Sequence, residues 1–210
     1  MRTISKILIL ASVFVFMGCT SRKKVLVIGD SISIGYTPYV KEKLKSEADV
    51  VHNRGNAKFS KNGLDSIYSW IGNTDWDVIH FNFGLWDLCY RLPSGERDKN
   101  NGKLTATVEE YKDNLDKIVS ILKETDAEII FANTTMVPSK ESGRYTQDVE
   151  RFNMAAEEVM KKHNIEVNDL YSLSLKVHPE YGLGNDNVHY KKDGYKVFSE
   201  QVVNAIRDKF

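Results

Sequence analysis

The chain has 210 residues, enough for one domain with a substantial core. Its 29 Lys plus Arg balance 29 Asp plus Glu, so its charge gives no case for nucleic acid as a partner. A hydrophobic share of 41% with mixed charge excludes an intrinsically disordered chain.

Arg2 and Lys6 precede an apolar run, Ile7 to Met17, that is too short to span a bilayer. The run ends in Phe16-Met17-Gly18-Cys19, which resembles the lipobox of bacterial lipoprotein signal peptides. That resemblance implies that residues 1–18 are a cleaved signal peptide and that Cys19 is lipidated. Residues 19–23 would then be a short linker holding the domain against a membrane of the bacterial cell envelope, on the periplasmic face or the cell surface. A plain secretory peptide or a buried apolar strand are the competing readings. Cleavage removes two cations and no acid, leaving 27 − 29 = −2. With Cys19 lipidated, Cys89 has no partner, so no disulfide framework is expected.

From Lys24 onward strands and helices alternate. Val25–Ile28 is β-branched and bounded by turn-formers, a short buried strand. Helical spacing at Pro38–Ser46 leads to a strand at Asp49–His52 and a helix at Leu64–Gly72. Residues 77–84 are nearly all apolar, as in a strand covered on both faces. Val108–Lys123 puts Tyr111, Leu115, Ile118, Val119 and Leu122 on one helical face. A strand at 127–135, a helix at Val149–Lys162, a strand at 165–171 and a closing helix at Gly194–Lys209 complete the pattern. Such alternation implies a parallel sheet with right-handed crossovers. Residues 88–105 are the longest aperiodic insertion and lie on the carboxyl-end rim of the sheet, where Tyr90 and Arg91 are placed to touch a ligand.

The first strand ends in Gly29-Asp30-Ser31. One of the two polar side chains can cap the helix that follows. Alternatively, Ser31 is a nucleophile at the carboxyl end of a strand, where open α/β sheets hold their ligands. A serine nucleophile needs a base. His52 and His80 lie inside strands, His163 ends a helix, and His178 precedes Pro179 in a polar loop. His189 stands three residues after Asp186, just ahead of the last helix. In a tight turn Asp186 can accept from one imidazole nitrogen and stabilise the imidazolium.

Taken together, Gly-Asp-Ser after the first strand and Asp-x-x-His before the last helix resemble the SGNH hydrolases, the GDSL-type esterases. The resemblance covers Lys24 to Phe210. It implies an α/β three-layer sandwich with a five-stranded parallel sheet in flavodoxin-like order. It also implies Ser31 as nucleophile, Asp186 and His189 as its partners, and an oxyanion hole formed by the N–H groups of Ser31 and Gly55. The third motif of the family, Gly-x-Asn-Asp, reads here Gly84-Leu85-Trp86-Asp87. The Trp86 indole is a donor only and can replace the missing amide. Trp86 can instead be a platform for a sugar ring, and Asn82 is a further candidate donor.

The G-x-S-x-G elbow of α/β-hydrolases is absent, and so is a dinucleotide fingerprint after the first strand. Neither H-E-x-x-H nor paired-cysteine spacing supports a metal. The sequence reads as a cofactor-free, membrane-anchored serine ester hydrolase. With a polar, aromatic rim, its expected substrate is a short acyl ester, acetyl foremost, on a carbohydrate or small molecule. A lysophospholipase or thioesterase of the same family is the alternative, and a catalytically weak glycan-binding lipoprotein is the rival from another class.

Overall fold

The computed structural model describes residues 21–210; residues 1–18, expected to be a signal peptide, and Cys19 lie outside the described residues. In chain order the elements are β1 (Lys23–Ile28), α1 (Ser31–Leu44), β2 (Ala48–His52), α2 (Ser60–Ile71), β3 (Val78–Phe81), β4 (Tyr90–Arg91) and β5 (Lys103–Leu104). They continue with α3 (Val108–Leu122), β6 (Glu128–Ala132), α4 (Asp148–His163), β7 (Glu166–Asn168), α5 (Leu170–Tyr181) and α6 (Lys192–Arg207). Five strands form one sheet in the order β2-β1-β3-β6-β7, with every pairing parallel. This is the flavodoxin-like order that the family resemblance implied. Its direction reverses between β1 and β3, and ligands of such sheets bind at the carboxyl end of that switch point.

The central strands are buried along their length. Val25–Ile28 and Val78–Phe81 are sealed from solvent, and so is most of Ile129–Ala132. A layer containing α1 and α6 packs on one side, and α2, α3 and α4 pack in succession on the other. Covered strands therefore need no polar face, which explains their near-continuous apolar runs. In α3 the whole predicted stripe is buried, and a capping box of Thr107 and Glu110 fixes where the helix starts.

Several boundaries differ from the sequence reading: α2 begins at Ser60 rather than Leu64, and the strand expected at 165–171 is only Glu166–Asn168 because Asp169 caps α5. The first helix starts at Ser31, not Pro38, because Asp30 Oδ1 accepts from the Ile32 N–H at 2.9 Å and nucleates it there. Pro38 sits inside and costs one helical hydrogen bond. The strands expected at 77–84 and 127–135 end at Phe81 and Ala132, so the residues beyond leave the sheet at its carboxyl edge. The polar stretch around His178 is helical, in α5. Its buried face mixes Leu170 and Val177 with Ser174 and His178, so it shows little apolar contrast. Within the 88–105 insertion, β4 and β5 form an antiparallel ribbon.

Candidate active site

The two readings of Gly29-Asp30-Ser31 belong to different residues. Asp30 is the cap, and its burial pushes its carboxyl up to about 6. Ser31 is then the first residue of α1, and its hydroxyl is free for another partner. That partner is His189, whose Nε2 lies 2.9 Å from Ser31 Oγ. The pair is 158 residues apart in sequence: a strand end and a loop before the last helix meet at the sheet's rim.

The orientation of the imidazole follows from its other nitrogen. Asn187 Oδ1 accepts from the His189 backbone N–H at 3.0 Å, so its amide oxygen points at the ring. The same oxygen lies 2.8 Å from His189 Nδ1. An amide oxygen only accepts, so Nδ1 carries the proton and Nε2 presents its lone pair to Ser31. Burial, and then the guanidinium charges of Arg144 and Arg97, hold the His189 pKa below the ordinary histidine value.

Asp186, expected beside His189, is not brought to it. Its carboxylate is exposed and makes no hydrogen bond among the described residues. The physical reason is the turn itself. Asn187 closes on the N–H two residues ahead, and its side chain thereby occupies the place behind the ring.

Gly55 lies in the loop after β2 with a φ of 74°, a conformation that favours glycine. Hydrogen bonds stitch this loop to the end of β1. Asn53 Oδ1 accepts from Gly29 N at 2.9 Å, and Ala57 N donates to Gly29 O at 2.9 Å. Neither the Ser31 nor the Gly55 N–H has a protein acceptor among the described residues, so both remain available. A second serine–histidine contact supports the loop. Ser33 Oγ is 2.7 Å from His52 Nε2, and His52 Nδ1 is 2.8 Å from Asn53 O. Burial lowers the His52 pKa, which keeps this bridge neutral.

The third motif has a different job at each position. Gly84 has a φ of 134°, and a Cβ there would come 2.1 Å from Thr134 Oγ1. Asp87 is buried and accepts from Ser60 N at 2.9 Å and Ser60 Oγ at 2.6 Å, anchoring the start of α2. Trp86 is half-buried, and the Arg91 guanidinium carbon sits 4.6 Å from its ring centroid. Its indole N–H has no protein acceptor among the described residues. Asn82 donates its amide to Ala132 O at 2.8 Å and so ties β3 to β6. The Tyr90 hydroxyl donates to Asp148 at 3.1 Å, which leaves its ring edge as the part nearest the rim. Among the described residues, no group of three His, Cys, Asp or Glu side chains is placed to hold a metal ion.

Sequence reasoning missed Asn187, whose signal was its place inside Asp-x-x-His, and Arg144. The latter is 3% exposed, yet it stands in an aperiodic stretch with no motif to single it out.

The GDSL-like lipase/acylhydrolase family model matches residues 27–197. Among solved structures, the chain is similar to a lipase/acylhydrolase from Enterococcus faecalis at TM-score 0.73 and 20% identity, covering 89% of this chain and 96% of that one. It is similar to an acetyl xylan esterase, AlAXEase, at TM-score 0.72 and 17% identity, covering 87% and 99%. A catalytic mutant of Axe2, an acetylxylan esterase from Geobacillus stearothermophilus, gives 0.71 and 16%, covering 88% and 94%. No curated protein matches the chain in sequence.

Proposed function

The chain belongs to the GDSL-like lipase/acylhydrolase family, and from that premise we propose that it removes short acyl groups, acetyl foremost, from a carbohydrate. The observation that carries the chemistry is the 2.9 Å approach of His189 Nε2 to Ser31 Oγ, with Nδ1 held by Asn187. His189 takes the Ser31 proton as Oγ attacks the ester carbonyl. The oxyanion is received by the N–H groups of Ser31 and Gly55, which are preorganised and cost no rearrangement. His189 then protonates the departing alcohol, and water, activated by the same ring, hydrolyses the acyl-enzyme. Asn187 orients the imidazole, the role the family resemblance assigns to Asp186.

Carbohydrate as the alcohol side rests on the rim. Trp86 and Tyr90 offer aromatic surface among polar groups, and the structural neighbours include acetyl xylan esterases. For the anchor, the lipobox-like Phe16 to Cys19 supports lipidation at Cys19 and a place in the bacterial envelope. A longer acyl chain is favoured by one feature, a largely apolar groove beside Gly55 walled by Ile34, Thr37, Pro38 and His52.

A panel of p-nitrophenyl esters of graded chain length decides between these. Turnover that peaks at acetate supports the proposal, and a maximum at octanoate or longer overturns it in favour of the thioesterase or lysophospholipase reading. Ser31→Ala should abolish turnover and labelling by a fluorophosphonate; labelling that persists would assign the nucleophile elsewhere.

A further inference from the structure

Beside the Ser31–His189 pair the loop before α4 holds a fixed positive charge that the hydrolytic steps do not use. Arg144 is 3% exposed, its Nε donates to Leu85 O, and its Nη1 lies 2.9 Å from Glu141 Oε1. Leu85 belongs to the Gly84–Asp87 turn on one side of the site. On the other side Lys140 N donates to Asn185 O at 2.9 Å, which ties the same loop to the turn carrying His189. The loop carrying Arg144 is thus tied to both turns, and Arg144 itself bonds to the first. Its Nη2 has no protein acceptor among the described residues, and it is not one of the unpartnered atoms sealed from solvent. A nearly buried guanidinium therefore keeps one donor edge open to solvent, near enough for its charge to act on His189 and Asp30.

Two further arginines converge there. Arg97 lies 3.0 Å from the same Glu141 oxygen and is bridge-paired with Arg91, which covers the Trp86 ring. Glu141, fully buried, is the carboxylate that pairs with Arg144 and Arg97, while Arg91 donates to Gly95 O. Of the other nearby acids, Asp148 is engaged by Tyr90 and Arg151, Asp98 by Asn100 and Asn101, Asp30 is buried as the cap, and Asp186 is exposed. The chain as a whole is neutral, so this excess is local. A single transient oxyanion needs no such set, whereas a planar carboxylate on the substrate matches a guanidinium fork.

We propose that Arg144, with Arg97 and Arg91, binds a carboxylate on the alcohol side of the ester, so that the substrate is an acylated acidic sugar such as a uronate. This rests on the esterase reading above and specifies its substrate class. Trp86 supplies the apolar face under the sugar ring, and the arginines select its charge.

The test uses mono-O-acetylated methyl glucuronoside, the matching acetylated methyl glucoside and p-nitrophenyl acetate. The wild type should show kcat/KM roughly 10- to 100-fold higher on the uronate than on the glucoside, as expected for one charge-assisted contact. That ratio should shrink at high salt. Arg144→Gln should bring it towards one, chiefly through KM on the uronate. Arg97→Gln, at a more exposed position and with Arg144 still paired to Glu141, should lower it with the fold checked by thermal melts, and Arg144→Lys should restore it only in part. Binding of the unacetylated sugars to the Ser31→Ala protein, followed by NMR, is the independent measurement. Equal affinity for glucuronoside and glucoside overturns this inference even where p-nitrophenyl acetate is hydrolysed. Uronate-selective binding without turnover of any of the three esters would instead sink the esterase reading and leave the anion site standing.

Discussion

The group behind His189 is the sharpest point to test, because the family resemblance and the geometry name different residues. Asn187→Ala removes the acceptor for both Nδ1 and the His189 backbone N–H, at 2.8 and 3.0 Å. Each neutral hydrogen bond contributes about 0.5–1.5 kcal/mol net. Losing both therefore costs about 1–3 kcal/mol, which corresponds to a fall in kcat of roughly 5- to 150-fold. Asp186→Asn should change kcat by no more than about twofold, since the carboxylate is exposed and bonds to nothing, and such surface changes rarely matter. A third variant gives the sign. Asn187→Asp would place a negative charge on the Nδ1 side, favour the imidazolium and move the acid limb of the rate profile to higher pH. All three are read by p-nitrophenyl acetate kinetics, with thermal melts to confirm folding. A loss of a thousandfold in Asp186→Asn alongside a mild Asn187→Ala would refute the assignment and return the orienting role to Asp186.

Because burial and the charges of Arg144 and Arg97 hold the His189 pKa down, the base stays neutral into acid. The ascending limb of kcat/KM should lie below pH 6.5, and a limb above that value would contradict the electrostatics described. Burial raises Asp87 to about 6 from 3.8, so folding favours its protonated form. Its contribution is full below the unfolded value and is lost as pH rises through 6. Asp87→Asn still accepts from Ser60, so it should flatten this part of the melting-temperature profile; an unchanged slope would show that the loss arises elsewhere. Trp86→Phe keeps the ring under Arg91 and removes the indole donor. We expect KM for the glycan to rise modestly with kcat on aryl acetate nearly unchanged, whereas a uniform kcat loss of roughly 10²–10³ would make the indole an oxyanion donor. Cys19→Ser should abolish incorporation of labelled fatty acid and release the protein from the detergent phase, and incorporation that survives would end the lipobox reading.

How legible each feature was depends on the range of the interaction that creates it. The central strands could be read from Val25–Ile28 and 77–84 because burial on both faces leaves an apolar run that no distant contact alters. The Thr107 capping box and the Tyr111–Leu122 stripe are equally local. Ser31 and His189 could be found because each stands at a fixed place in the alternation, a strand end and a helix entry, and the parallel topology brings such places to one rim. Helix α5 was hidden because His178 and Ser174 are buried by tertiary contacts, which breaks its pattern.

The remaining pieces of the site depend on choices between near neighbours or on partners far along the chain. Asp186 and Asn187 both precede His189 closely enough to reach it, and the closure of Asn187 on the N–H two residues ahead decides which does. Arg144 takes its meaning from Leu85 and from the loop's bond to Asn185, neither of which is visible in the residues around it. The same distinction separates chemistry from selectivity. The proposed nucleophile opens α1 and the proposed base stands just ahead of α6, places set by the order of strands and helices, so the reaction class follows from sequence order. The groups that would choose the substrate sit on the loops between strands and helices, where long-range contacts hold them. A site built this way can change its substrate by exchanging Arg144, Arg97 or Trp86 while Ser31 and His189 stay in place.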